Sequence, residues 1–392
     1  MKGPLYLAWR YLAHHRVKTA VLVVSIALIL FVPAALQVLV DRTQATLTKR
    51  AAATPLLVGA KGSPVELVLS SLYFGADVPD TLPYAEVDRI AETGLADPIP
   101  LYVRFRLRKD PIVGTSIEYF RFRDLRIAQG HNLTRLGDCV VGAQVAEDRG
   151  LAPGDAVISS PESVFDLAGV YPLKMRVVGV LGWSDSPDDE AIFTDVKTTW
   201  VIQGLAHGHE DLDRPEAANR VMAKEDGRIT ANASVVNYNE ITDANVDSFH
   251  FHGDPDTFPI TAVLPVPHDT KSGTLLRGRY TGSEERQQIL EPSDVLDELL
   301  DTVFTVRSFV LAAMVLVGFA TLLTAGLVFL LSRRMRAREI ETLIKIGGSR
   351  ASVAAVLWLE VVIVLVAAAV LAGLLTWLIS GFGAEVLRTL VR

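Results

Sequence analysis

Cys139 is the only cysteine in 392 residues. A lone thiol forms no intrachain disulfide, so the fold must be held by its core even in an oxidising compartment. Catalytic signatures are missing as well. No G-x-x-x-x-G-K-[ST] occurs to cradle nucleotide phosphates, no H-E-x-x-H, no G-x-S-x-G, and nothing beside Cys139 marks a nucleophile. The chain reads as a non-enzyme that requires no cofactor. Positive charge is scarce through the middle: Asp41 to Val306 holds 25 Lys and Arg against 41 Asp and Glu, a net of −16, while the remainder is +9. A large acidic region excludes nucleic acid as a partner, because phosphates need a basic face.

Apolar content, in contrast, is plentiful and concentrated. The mean hydropathy is +0.31 and half the residues are hydrophobic, too apolar for an ordinary soluble chain. Thr19 to Val40 is an uncharged run of 22 residues, Ser308 to Leu331 one of 24, and Val361 to Ser380 one of 20. Each is close to the roughly 20 residues that cross a bilayer as a helix. The expectation is a multi-pass membrane protein: a cytoplasmic amphipathic lead over 1–18, membrane helices over 19–40, 308–331 and 353–380, and a large extracytoplasmic domain over 41–307. The first run exceeds the apolar core of a signal peptide, about 7 to 15 residues, and so reads as a retained span. In the lead, Leu5, Trp9 and Leu12 share one side while Arg10, Arg16 and Lys18 mark the cytoplasmic flank.

The acidic middle has mixed α and β texture. Asp41 to Thr54 holds no Gly or Pro, so the first helix should continue outward as a stalk. Leu101, Val103, Phe105 and Leu107 alternate with Tyr102, Arg104, Arg106 and Arg108, the period of a strand. Ser116 to Phe122 reads as a second strand paired to it, with Asp110-Pro111 and Gly114 as turn residues. Further strands are expected at Cys139 to Gly142, Ala156 to Ser159, Met175 to Leu181 and Ile260 to Pro265, and 205–231 reads as an inserted surface loop. From Ser293, a candidate N-cap, Val295, Leu296, Leu299, Leu300, Val303 and Phe304 form a helical stripe. No breaker separates that stripe from the second apolar run, so a single helical rod should join them.

Between the second and third runs lies SRRMRAREIETLIKIGGSR, from Ser332 to Arg350. Arg333, Arg334, Arg336, Arg338, Lys345 and Arg350 are opposed only by Glu339 and Glu341, which places this loop on the cytoplasmic side. Ile340, Leu343, Ile344 and Gly347 recur at i, i+3, i+4 and i+7, an apolar stripe on one helical face, and Gly347-Gly348 should end the helix. The spacing Arg338-Glu339-Ile340, Leu343, Ile346-Gly347, Ser349-Arg350 resembles the signature REIG-x-L-x-A-I-G-A-x-R of FtsX/MacB-like ABC transporter permeases (type VII). Val141-Gly142, Val145-Ala146, Gly150-Leu151, Gly154-Asp155 and Val177-Val178-Gly179-Val180 likewise resemble the MacB-like periplasmic core domain.

That resemblance implies a transmembrane subunit of the bacterial inner membrane, with α-helical spans and a mixed α/β extracytoplasmic domain on helical stalks. Residues 332–352 would be the coupling helix docked on a separate cytoplasmic ABC ATPase, which hydrolyses ATP. Arg338, Glu339, Ile340, Leu343, Ile344, Ile346 and Gly347 would make that contact. It further implies a homodimer that transmits mechanical motion for export or extraction, with a periplasmic adaptor or substrate protein as a further partner. Relatives usually carry a fourth span, whereas only Gly381 to Arg392 follow the third run here. A dozen residues cannot cross a bilayer as a helix, so 381–392 should be an extracytoplasmic interfacial tail, its apolar stripe formed by Phe382, Val386, Leu387, Leu390 and Val391. The fourth helix is then dispensable, supplied by another chain, or missing from an incomplete sequence. Glu360, within the expected membrane helix 353–380 and just before its uncharged run, is expected to face another protomer or water.

Two histidine pairs stand outside this scheme. His207-x-His209 precedes Glu210 and Asp211, and His250-x-His252 precedes Asp254, residue types that ligate zinc. Solvated surface is the reading preferred for them, and no metal is assigned. The alternative is a membrane-tethered extracytoplasmic binding receptor, for a metal ion among other ligands, with the basic loop as a mere anchor.

Overall fold

The structure is a computed structural model that describes residues 2–75, 78–160, 172–209, 221–225, 228–231, 238–282, 286–335, 337–345, 347 and 349–390. The chain divides into two compact units, one formed by 1–46 and 300–392 and the other by 47–299. Its helices are α1 (Lys2–His14), α2 (Arg16–Ala52), α3 (Pro64–Tyr73), α4 (Ala85–Glu92), α5 (Ile117–Phe122), α6 (Ala143–Arg149), α7 (Val196–Gln203), α8 (Thr270–Arg279), α9 (Pro292–Met335), α10 (Ala337–Lys345) and α11 (Arg350–Leu390). Its strands are β1 (Leu57–Ala60), β2 (Leu82–Pro83), β3 (Ala96–Leu107), β4 (Asp110–Thr115), β5 (Ile127–Gly130), β6 (Asp138–Val141), β7 (Ala156–Ile158), β8 (Lys174–Leu181), β9 (Ile192–Asp195), β10 (Ala206–Gly208), β11 (Val221–Glu225), β12 (Arg228–Ala231), β13 (Phe249–Phe251), β14 (Pro259–Ile260), β15 (Ala262–Pro267) and β16 (Gln287–Leu290).

The 47–299 unit is built on one ten-stranded mixed sheet in the order β16-β1-β15-β3-β4-β9-β6-β8-β5, with β7 added on β8. The β4–β9 and β6–β8 pairs are parallel; the other pairs of this sheet are antiparallel. Alternate side chains feed two separate cores. Val58, Ile112, Cys139, Val141, Val177 and Ile192 enter one, and their neighbours Leu57, Val113, Val140, Val178 and Phe193 the other. Burial on both faces explains the consecutive apolar residues Val140-Val141 in β6 and Val177-Val178 in β8.

Several sequence-based expectations are met: α2 continues without interruption to Ala52, and strands occupy the segments around 101–107, 139–141, 156–158, 175–181 and 260–265. One strand is not there. Ser116–Phe122 contains α5, preceded by an extended Ser116, and the strand beside β3 is β4. Asp110, Pro111 and Gly114 lie inside β4, and the turn falls instead at Arg108-Lys109, with Arg108 at φ +58°. Tyr119 and Phe120 are buried together while Ile117 and Glu118 are exposed, a helical rather than a two-residue period. The described part of the supposed surface loop 205–231 holds β10 and the β11–β12 ladder. Ser293 lies inside α9, which starts one residue earlier at Pro292, a residue suited to the first helical position.

In the other unit, Arg16–Val38 and Arg350–Ser380 are long and apolar enough to cross a membrane, and Leu311–Thr324 is a shorter apolar stretch within α9. α1 and α11 are in contact, and Leu12, Ile26, Ala27, Val364, Ala368 and Ala372 form one apolar cluster. Glu360 corrects an expectation. It is 3% exposed within this chain, and with Val364, Ala368 and Ala372 it completes a four-residue-spaced stripe along the buried face of α11. α11 continues as one helix through Gly381 to Leu390; the side chains of 381–390 and all of 391–392 lie outside the described residues.

Candidate functional site

α10 is a nine-residue helix, Ala337–Lys345, that follows α9 closely in the chain. Arg338 is exposed, Ile340 is partly buried, and Ile344, one turn further on the same face, remains exposed. On another face Lys345 Nζ meets Glu341 Oε1 at 2.9 Å, an i,i+4 pair of the kind that supports an isolated helix. Gly347 adopts φ +102°, a conformation costly for residues bearing a Cβ, and its N–H donates to Ile344 O at 3.1 Å. The Ser349 Oγ then accepts from Ser352 N at 3.1 Å and caps α11. The side chains of Glu339 and Leu343, and all of Ile346, lie outside the described residues. Among the described residues, α10 thus presents Arg338, Ile340 and Ile344 on a short helix closed by Gly347.

A second feature was not legible in the sequence. Arg50, near the end of α2, is buried in the 47–299 unit and forks onto Asp188, Nη1 to Oδ2 at 2.6 Å and Nη2 to Oδ1 at 2.9 Å. The Tyr119 hydroxyl donates to Asp188 Oδ1 at 2.7 Å and accepts from Arg50 Nη2 at 2.8 Å, and Arg50 Nε donates to Leu72 O. Burial alone would raise the Asp188 carboxyl, but the Arg50 guanidinium and its hydrogen bonds outweigh it and hold the group below its usual range. Burial pushes the Tyr119 hydroxyl up, so it stays protonated. The end of α2 is therefore locked to the core of the 47–299 unit by a bidentate, charge-assisted contact.

The four histidines come together. β10 pairs antiparallel with β13 with His207 directly opposite His250. Ring centroids of His207 lie 5.0 Å from His250, 4.6 Å from His252 and 5.8 Å from His209, and His209 is 5.2 Å from His250. Desolvation, then the neighbouring imidazoles, lower the His207 pKa below its ordinary value. Glu210 and Asp211 lie outside the described residues. Asp254 is turned to another task, its Oδ1 accepting from Asp256 N at 3.2 Å at the start of a short helical turn.

Comparison with known proteins gives one family. A model described as the MacB-like periplasmic core domain matches residues 19–244. Among solved structures, the chain is similar to the periplasmic region of MacB from Actinobacillus actinomycetemcomitans, at 11% identity and TM-score 0.35, over 64% of this chain and 95% of that one. It is also similar to the extracellular domain of the noncanonic ABC-type transporter YknZ from Gram-positive bacteria, at 11% identity and TM-score 0.32, over 60% of this chain and 98% of that one. Likeness at that level adds no weight to the family match. No curated protein matches.

Proposed function

From the premise that this chain belongs to the family with a MacB-like periplasmic core domain, a domain of type VII ABC transporter permeases, we propose that it is the transmembrane subunit of such a transporter. It couples ATP hydrolysis by a separate cytoplasmic ATPase to movement of the 47–299 unit, which lies outside the bacterial inner membrane. The subunit works as a homodimer with three spans over 19–40, 308–331 and 353–380. The observation that carries this reading is the pair α9 and α10: one helix runs from Pro292 to Met335, and the short helix Ala337–Lys345, in the basic segment 332–350, follows almost at once. A helix transmits displacement along its axis because each turn is hydrogen-bonded to the next. A push on α10 would pass through α9, and the bidentate Arg50–Asp188 contact gives α2 a firm hold on the moving domain.

The exposed apolar face of α10 is the proposed contact with the ATPase. We assign that contact to Arg338, Glu339, Ile340, Leu343, Ile344, Ile346 and Gly347, with Gly347 ending the helix so that the chain can turn back into α11. Leu343→Asp would bury an unpaired charge at that contact, which should cost about 3 kcal/mol or more and weaken binding by more than ~100-fold. Co-purification of the ATPase and stimulated hydrolysis should both fall sharply, while Glu341→Gln changes little. Should Leu343→Asp retain as much ATPase as the parent chain, the coupling role of α10 is wrong.

A further inference from the structure

We infer that His207, His209 and His250, with His252 beside them, form a binding site for a divalent first-row transition-metal ion on the outer face of the β10–β13 ladder. The strand period makes the site. In β13 and the residue after it, Phe249 and Phe251 alternate with His250 and His252. The two phenylalanines pack against the core, Phe251 at 6.2 Å from the Trp200 ring and 6.0 Å from Phe258, so the two imidazoles must project to the opposite face. In β10, Ala206 and Gly208 are buried and His207 and His209 take the outer positions. A Cβ at Gly208 would stand 2.5 Å from the Phe249 ring, so this glycine is what lets the two strands close with all four imidazoles on one side.

The donor geometry suits a metal. One ligand nitrogen each from His207, His209 and His250 all lie within 4.8 Å of one another. Tetrahedral coordination with bonds of about 2.1 Å needs nitrogens roughly 3.4 Å apart, so side-chain rotation of about an ångström completes the set. His250 is already oriented: its Nδ1 lies 3.1 Å from the Ser248 carbonyl, which can only accept, so Nδ1 carries the proton and Nε2 offers its lone pair. His252 is 4.9 Å from His250 between ring centroids and can supply a fourth nitrogen or leave that position to water. Donors that are all imidazole favour zinc, copper or nickel over calcium and magnesium, which require oxygen.

The assignment stands apart from the coupling reading, since it needs only residues of the 47–299 unit. It is tested on the full chain, purified in detergent and stripped with a chelator, by calorimetric titration with Zn2+ and by the visible absorption of added Co2+. One Zn2+ per chain is expected, with the intense bands of a tetrahedral nitrogen-ligated Co2+ site. His250→Ala and His207→Gln should each weaken binding at least about tenfold and bleach the Co2+ bands, with unfolding curves and ATPase co-purification unchanged. His250 is exposed, so its variant decides the matter if His207→Gln fails to fold. No zinc binding by the parent chain, or equal binding by the variants, overturns the site.

Discussion

The two units bury apolar surface in opposite ways. In the 47–299 unit both faces of the sheet are covered, and Tyr102, Tyr119, Phe193 and Trp200 are enclosed by the chain itself. In the helical unit the described residues form one small cluster, while Phe309 is 72% exposed and Trp358 71%. Water does not stabilise apolar surface left open on that scale, which fits the membrane position proposed for these helices. The 47–299 unit carries its cohesion inside it, whereas little of the described apolar surface of the helical unit is enclosed by the chain.

The most disruptive way to probe that contrast is at the ion pair inside the ectodomain. Asp188→Ala leaves the Arg50 guanidinium buried without its partner and should destabilise the 47–299 unit by about 3–5 kcal/mol in equilibrium unfolding. The double replacement Arg50→Met with Asp188→Leu should recover much of that loss, because two apolar groups need no partner. Failure of the double variant to recover would mean that the pair also determines geometry, through Tyr119 and the Leu72 carbonyl.

Acid should produce a smaller effect at the same place. The Asp188 carboxyl is held below its ordinary value of 3.8 in the folded chain, so its contribution is fully present above that value and is lost as the pH falls towards the folded one. Unfolding curves of Asp188→Asn should show a shallower acid limb than those of the parent chain. An unchanged limb would place the acid sensitivity elsewhere.

The smallest effect is expected in the helical unit. Phe309→Ala and Trp358→Ala should change stability in detergent by no more than ~0.5 kcal/mol, as for surface positions, whereas Phe193→Ala in the sheet core should cost about 3–5 kcal/mol. If the two exposed positions prove as costly as Phe193, a second chain rather than lipid covers them, and the contrast between the units becomes one between a folded subunit and an assembly interface.

The features legible in the sequence were those encoded by adjacent residues. Three uncharged runs, the stalk continuing to Ala52, the stripe of Ile340 and Ile344, and Gly347 as a helix end all depend on a spacing of a few positions. Ser116–Phe122 was read as a second strand because it follows the alternating 101–108 run and supposed turn residues, while the deciding contacts, Tyr119 on Asp188 and Phe120 on Phe193, lie far away in the chain. Glu360 gave no local sign of its burial, which follows from its alignment with Val364, Ala368 and Ala372 along the covered face of α11. The histidine pairs were visible as residue types, but only the β10–β13 register brings His207 opposite His250. Arg50 and Asp188 are separated by 138 positions and carried no motif at all. Periodicity and capping act within one or two turns of chain, so the sequence determined the apolar runs and the long helices that contain them. Sheet pairing and buried charge neutralisation join segments that are neighbours only after folding, so tertiary structure alone decided where the end of α2 is fastened and where four imidazoles meet.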